Sequence, residues 1–180
     1  MSPRFKIGNR IYLRAPEETE IDLFLTWINN PENYRYITRT RPIGRAEEKE
    51  WLANLHKREN DIVFLIVDRN EDQPIGTCGL HGVNHPNRSA ELGILIGEER
   101  FQNKGYGTEA MDLLCEYGFN MLNLNRIGLE VYEYNERAYR CYEKVGFQKE
   151  GRLREARFYD GRYWDALRYG LLAKEWRKRG

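Results

Sequence analysis

Cysteine is scarce in this chain: Cys78, Cys115 and Cys141 are the only three in 180 residues, and none stands in a C-x-x-C pair. An odd, scattered set excludes a disulfide framework and a cysteine-based zinc site and leaves buried thiols as the plain reading. Histidine is as thin, with His56, His81 and His85 too scattered for a ligand set, so no metal is expected. Net charge is nearly absent as well. Twenty-nine Lys plus Arg against 28 Asp plus Glu leave +1, which gives no overall field toward nucleic acid or an anionic membrane. No apolar run approaches the ~20 residues of a membrane span, and residues 1–10 lack the apolar block of a secretion signal. The expectation is a cytoplasmic protein with neither a nucleic-acid nor a membrane partner.

What is present suits one packed interior. The chain is 41% hydrophobic and 13% aromatic beside 32% charged, and its length fits a single domain across 1–180, with a core from about 10 to 176. Residues 10–14 alternate as a strand. After Pro16, Ile21, Phe24, Leu25 and Ile28 recur at helix spacing until Asn29, Asn30 and Pro31 end the run. A polar, aromatic loop over 33–44 precedes a charged helix over 45–59 carrying Trp51, Leu52 and Leu55. Strands are expected over 62–68, 75–83, 90–97 and 126–132, with a helix from Gly107 between the last two. Asn135 caps a short helix over 138–144 that Gly146 stops, and Asp160-Gly161 turns a hairpin joining 153–159 to 162–171 before a basic tail over 174–179. This is an α+β domain around a mixed, mainly antiparallel sheet.

In the strand over 90–97, Ala90, Leu92, Ile94 and Ile96 share one face, while Glu91, Gly93, Leu95 and Gly97 leave the other nearly bare. The segment that follows, E-E-R-F-Q-N-K-G-Y-G-T, is the chemical centre. Gly105 and Gly107 let backbone come close to a ligand, and the unpaired first-turn amides and dipole of the next helix favour an anion. Lys104 adds a full charge. Gly105 to Ala110 also matches the dinucleotide fingerprint G-x-G-x-x-A, with Glu130 downstream for a ribose. That alternative requires its first glycine at the strand end, whereas the stretch 98–105 intervenes here and no parallel βαβ repeat is evident.

Gln102-x-x-Gly105-x-Gly107 behind a strand, followed by Asn135-x-x-Ala138-x-x-x-Tyr142-x-Lys144-x-Gly146-Phe147, resembles the GNAT superfamily of acetyl-coenzyme A-dependent N-acetyltransferases. The ending G-F-x-x-E-G-x-L-R, then D-G-R-Y-W-D, is similar to the branch holding RimJ-like protein N-terminal acetyltransferases and spermidine acetyltransferases. The resemblance implies helices on both faces of the sheet and strands that splay at the cofactor cleft. It implies acetyl-coenzyme A bound by Ile94, Leu95, Ile96, Gln102, Asn103, Lys104, Gly105, Tyr106, Gly107, Thr108 and Asn135. Tyr142 would be the general acid that protonates the leaving thiolate, with a core aromatic as the alternative; Asn135 would cap its helix or bond the pantetheine arm.

Glu91 is the sole ionisable residue on the bare face and is the candidate base, with His81 as a weaker substitute and water chains as a third route. Cys141 has no nearby His partner in sequence, so direct transfer is expected over an acyl-enzyme. The acceptor amine would enter over the first helices, where Trp27, Tyr34, Tyr36 and Trp51 are available as walls, with Arg39 as a further substrate-binding residue. Arg35, Arg39, Arg41 and Arg45 in that region point to an amine beside an acidic group, such as a protein N-terminus or an amino sugar, and away from a polyamine. A non-catalytic acetyl-coenzyme A-binding module is the reading from another class. The expected partner is a small-molecule or peptide amine, and assembly into a homo-oligomer is left open.

Overall fold

The computed structural model describes residues 3–37 and 39–179, so Thr38 of the expected loop lies outside the described residues. Strands β1 (Lys6–Ile7), β2 (Ile11–Arg14), β3 (Ile62–Asp68), β4 (Gln73–Asn84), β5 (Ser89–Ile96), β6 (Arg126–Tyr132), β7 (Gln148–Tyr159) and β8 (Arg162–Leu172) form one eight-stranded sheet in the order β1-β2-β3-β4-β5-β6-β8-β7. Every pairing is antiparallel except that between β5 and β6.

Helices cover both faces, which is why β2 and most of β3 read as unbroken apolar runs. Ile11, Leu13, Phe64 and Ile66 pack beneath α4 (Tyr106–Glu116) and α5 (Glu136–Val145) with Met111, Leu114, Tyr142 and Val145. The alternate residues Tyr12, Leu65 and Val67 meet Ile21, Phe24 and Trp27 of α1 (Ile21–Asn29) and Leu52 of α3 (Arg45–Ala53).

β3 and β6 have the bounds expected from sequence. The Asn135 side chain accepts from the Ala138 amide at 3.3 Å, Gly146 takes φ +97°, and Asp160 and Gly161 take φ +52° and +75° in the hairpin turn. Other elements differ. α3 stops at Ala53 instead of 59, because Asn54 turns its side chain back onto the Glu50 carbonyl at 2.9 Å. The loop over 33–44 is preceded by one turn of helix, α2 (Pro31–Tyr34), started by Pro31 and by Asn30 accepting from the Glu32 amide. α4 widens into a π turn over Tyr117–Met121, which seats Gly118 on β6, where an added Cβ would stand 2.9 Å from Ile127 Cδ1. The basic tail begins as α6 (Ala173–Trp176), whose Trp176 packs on Phe119 at 5.7 Å. Among the described residues no helix is long and apolar enough to cross a membrane, and no group of His, Cys, Asp and Glu could hold a metal ion.

Candidate active site

β5 and β6 pair only at Ser89–Arg126, Ala90–Ile127 and Glu91–Gly128, then diverge. Beyond that last rung a cleft of about 920 Å³ opens, lined from the α4/α5 layer by Thr108 and Cys141 and from the α1/α3 layer by Trp27 and Trp51. The β6-side edge of residues 92–96 lacks a strand partner, so alternate backbone groups along it face the cleft free of a ladder.

The anion pocket sits at the start of α4. Asn103 and Gly105 take φ +58° and +84°, a left-handed pair that turns the chain so the following amides point outward. The first α-helical bond is Glu109 to the Gly105 carbonyl at 3.2 Å, which leaves the Tyr106, Gly107 and Thr108 amides open. Gly107 lies close under Ile94, Ile96 and Cys141, each 3.8 to 3.9 Å from where its Cβ would stand. Arg137, Arg140 and Lys144 of α5 line the same cleft, with Arg140 paired to Glu136 at 2.8 Å. Their spacing of three and four along one helix face was a visible signal that the motif reading passed over. A chain of phosphates fits this donor set: open helix amides, left-handed backbone and three cations at one mouth.

Tyr142 is 9% exposed, on the inner face of α5, and its ring meets Phe147 and Tyr169 at 6.3 Å. Burial, with a smaller push from Cys141 and a pull from Arg137, raises its phenol well above the usual tyrosine range. Such a phenol stays protonated at neutral pH, and it lines the cleft. It is a proton-bearing group on the cleft wall.

The other expected residues divide. Gln102 lines the cleft, but its amide donates to the Ile96 carbonyl at 2.9 Å and accepts from Arg137 at 2.5 Å, so it latches the loop to β5 and α5. Lys104 and Tyr106 are not on the cleft wall. The Lys104 carbonyl receives Arg10 at 2.7 Å, and the Tyr106 ring turns away onto Phe101 at 5.1 Å, leaving only its backbone amide for an anion. Tyr34 is also off the wall, because the turn of α2 directs Asn33 inward to the Trp27 and Gly97 carbonyls. Trp27, Tyr36 and Arg39 do line it.

Glu91 lies at the closed end of the cleft, on the last rung, where its carboxylate leans over Gly128 and faces Arg168 at 3.8 Å. It is absent from the cleft lining, whereas His81 is present. The bare face of β5 is covered by side chains from elsewhere: the Trp27 indole lies on Gly97, and the His81 imidazole lies on Gly93. Glu48 of α3, not singled out from sequence, lines the α1/α3 wall of the cleft at 3% exposure, with Trp51 and Leu52 one turn on. Burial raises its carboxyl above the ordinary range, with Arg39 pulling it down and Glu47 pushing it up.

A mixed sheet split by a cleft, with open amides for phosphates on one side and a buried phenol on the other, defines a coenzyme A-dependent acyltransferase. Residues 10–148 match the family described as the Acetyltransferase (GNAT) domain, and the chain belongs to that family. It is an acetyl-coenzyme A-dependent N-acetyltransferase. The spermidine N(1)-acetyltransferase of Escherichia coli K12 is 40% identical over 146 residues, covering 81% of this chain and 77% of that one. The solved spermidine N-acetyltransferase of Vibrio cholerae in complex with CoA and spermine superposes with TM-score 0.86 at 29% identity, covering 94% of this chain and 99% of that one. A dodecameric structure of the Vibrio cholerae enzyme in an intermediate state gives TM-score 0.82 at 29% identity, covering 96% and 99%.

Proposed function

We propose that this chain acetylates a small primary amine bearing further positive charge, of the polyamine or diamine type, by direct attack in a ternary complex. The observation that carries this is Glu48, a buried carboxylate on the acceptor wall beside Phe24, Trp27 and Trp51, the aromatic and anionic setting in which an ammonium is held. The reading of a protein N-terminus or amino sugar as acceptor leans on free arginines. Each of those arginines faces a carboxylate: Arg35 with Glu32 at 3.6 Å, Arg39 and Arg41 with Glu47 at 3.7 and 2.8 Å, and Arg45 with Asp22. Their field is offset locally, which removes the objection to a cation. The names of the Escherichia coli and Vibrio cholerae relatives support the same acceptor class.

In this reading the open amides of Tyr106, Gly107 and Thr108 hold the pyrophosphate, with Arg137, Arg140 and Lys144 adding charge. An unpaired amide of the Ile94–Ile96 stretch meets the thioester oxygen as it gains charge. Tyr142 protonates the departing sulfur. A coenzyme A-release assay over spermidine, spermine, a diamine, a nucleotide-linked amino sugar and an acidic N-terminal peptide tests the proposal. The cationic amines should dominate, and Tyr142→Phe should lower kcat by about 100-fold with acetyl-coenzyme A affinity kept. Preference for the acidic peptide or amino sugar would overturn the acceptor; tight acetyl-coenzyme A binding with no thiol release on any amine would overturn turnover itself. Assembly of several copies belongs to the same proposal and is read by light scattering.

A further inference from the structure

We propose that His81 is the group that takes the proton from the attacking amine. Gly79 stands two residues before His81 on β4, and Gly93 pairs with Gly79 across the ladder, so all three share one face of the sheet. A Cβ added at either glycine would stand 3.2 Å from His81 Nε2, tighter than ordinary contact. The two glycines therefore make a slot that leaves room for the imidazole over β4 and β5 on the wall of the cleft. Beside it, Gly82 takes φ +57° in a bulge and donates its amide to Asp61 Oδ1 at 3.0 Å. That bond holds Asp61 Oδ1 3.6 Å from His81 Nδ1, and Arg58 sits 3.8 Å from the other carboxylate oxygen.

The charged groups nearest the ring are Asp61 on the approach to β3 and Glu91 directly across on β5, while Glu48 lines the same cleft from α3. Glu91 shares the face but is drawn toward Gly128 and Arg168, so the imidazole, half-exposed and on the wall, is the group with access to an amine. Asp61 lies on the Nδ1 side of the ring, which leaves Nε2 over Gly79 and Gly93.

The step balances without a co-reactant beyond acetyl-coenzyme A. His81 takes one proton from the acceptor ammonium, and the freed lone pair forms the N–C bond at the thioester carbonyl. The C–S bond breaks as the sulfur takes the Tyr142 proton, and the phenolate is refilled by the second proton of the former amine. The imidazolium then passes its proton to water. The amine used in this step rests on the acceptor class proposed above, but the assignment of the base does not, since any amine turned over needs the same proton removed.

The test uses whichever amine the enzyme turns over fastest. His81→Ala should lower kcat/KM by about 100-fold and remove the acidic limb of its pH profile, with acetyl-coenzyme A affinity and melting temperature kept. Free imidazole should restore the rate in proportion to its concentration, by filling the slot over Gly79 and Gly93. His81→Gln, which keeps polar bulk, should stay slow and unrescued. Glu91→Gln should keep the wild-type profile. Imidazole rescue absent in a folded His81→Ala, or loss of the acidic limb in Glu91→Gln instead, would overturn the assignment. Failure of the polyamine reading would show separately, as turnover of a different amine with the same rescue.

Discussion

Gly97→Ala should be costly for a residue that carries no chemistry. A β-carbon there would lie 2.2, 2.4 and 2.5 Å from Cγ, Cδ2 and Cδ1 of Trp27, where ordinary carbon contacts are about 3.5–4.0 Å. The indole must retreat by about 1 Å or more, yet it is 2% exposed and held edge-on to Phe24 at 5.9 Å. Its Nε1 also donates to Glu98 at 2.8 Å. Overpacking of this kind costs about 1–3 kcal/mol, and losing a bond to a charged acceptor about 1.5–3 kcal/mol, so a total of about 2.5–6 kcal/mol is expected. For a chain of this length that is a fall in Tm of about 5–24 °C by calorimetry. Because Trp27 lines the cleft on the wall proposed for the acceptor, KM for the amine should rise while that for acetyl-coenzyme A holds. Shrinking the indole in Trp27→Leu should cancel most of the penalty in a double-mutant cycle. A Tm within about 2 °C of wild type for Gly97→Ala alone would show that the contact is not as described.

Glu48→Gln should separate stability from function. The Glu48 carboxyl is raised in the folded state by burial, so its stabilising contribution is full below the unfolded value and is lost as pH rises through the folded one. The variant should therefore gain Tm over wild type at pH 8 and lose that advantage toward pH 4, while KM for a polyamine rises about tenfold. Equal Tm differences at both pH values would refute the burial argument. Asn135→Asp should keep the cap on the Ala138 amide and lose the side-chain donor; calorimetry with isothermal titration should find stability unchanged and acetyl-coenzyme A affinity lowered about tenfold if Asn135 also holds the pantetheine arm. Unchanged affinity would reduce Asn135 to a cap.

The legible parts of this chain are those whose signal is local. β3 and β6 follow from short apolar runs, Asn135 and Gly146 bracket α5 through cap chemistry, and Asp160-Gly161 sets its hairpin through positive φ. The open amides at the start of α4 read out for the same reason, because glycine spacing ahead of a helix fixes where amides open. What stayed hidden depends on residues distant in sequence. The face of β5 carrying Gly93 and Gly97 reads as empty from its own pattern, since nothing in it reveals that Trp27 and His81 arrive from other elements. Glu91 reads as a cleft residue until the register with Gly128 shows that the strands are still paired there. Glu48 passes as a surface charge in R-A-E-E-K-E, although Trp51 and Leu52 three and four residues on place it on the buried stripe. β1, two residues at the sheet edge, is too short for any period to mark.

The parting of β5 from β6 makes this sheet two plates joined at one corner. Five strands lie on one side and three on the other, and the backbone ladder crosses between them only from Ser89 to Glu91. Whatever fills the cleft therefore acts as a splint as well as a reactant. Residues on the hinge, such as Gly128 under the Glu91 carboxylate, set how wide the plates stand apart. A change there would retune the grip on both substrates from a place neither of them reaches.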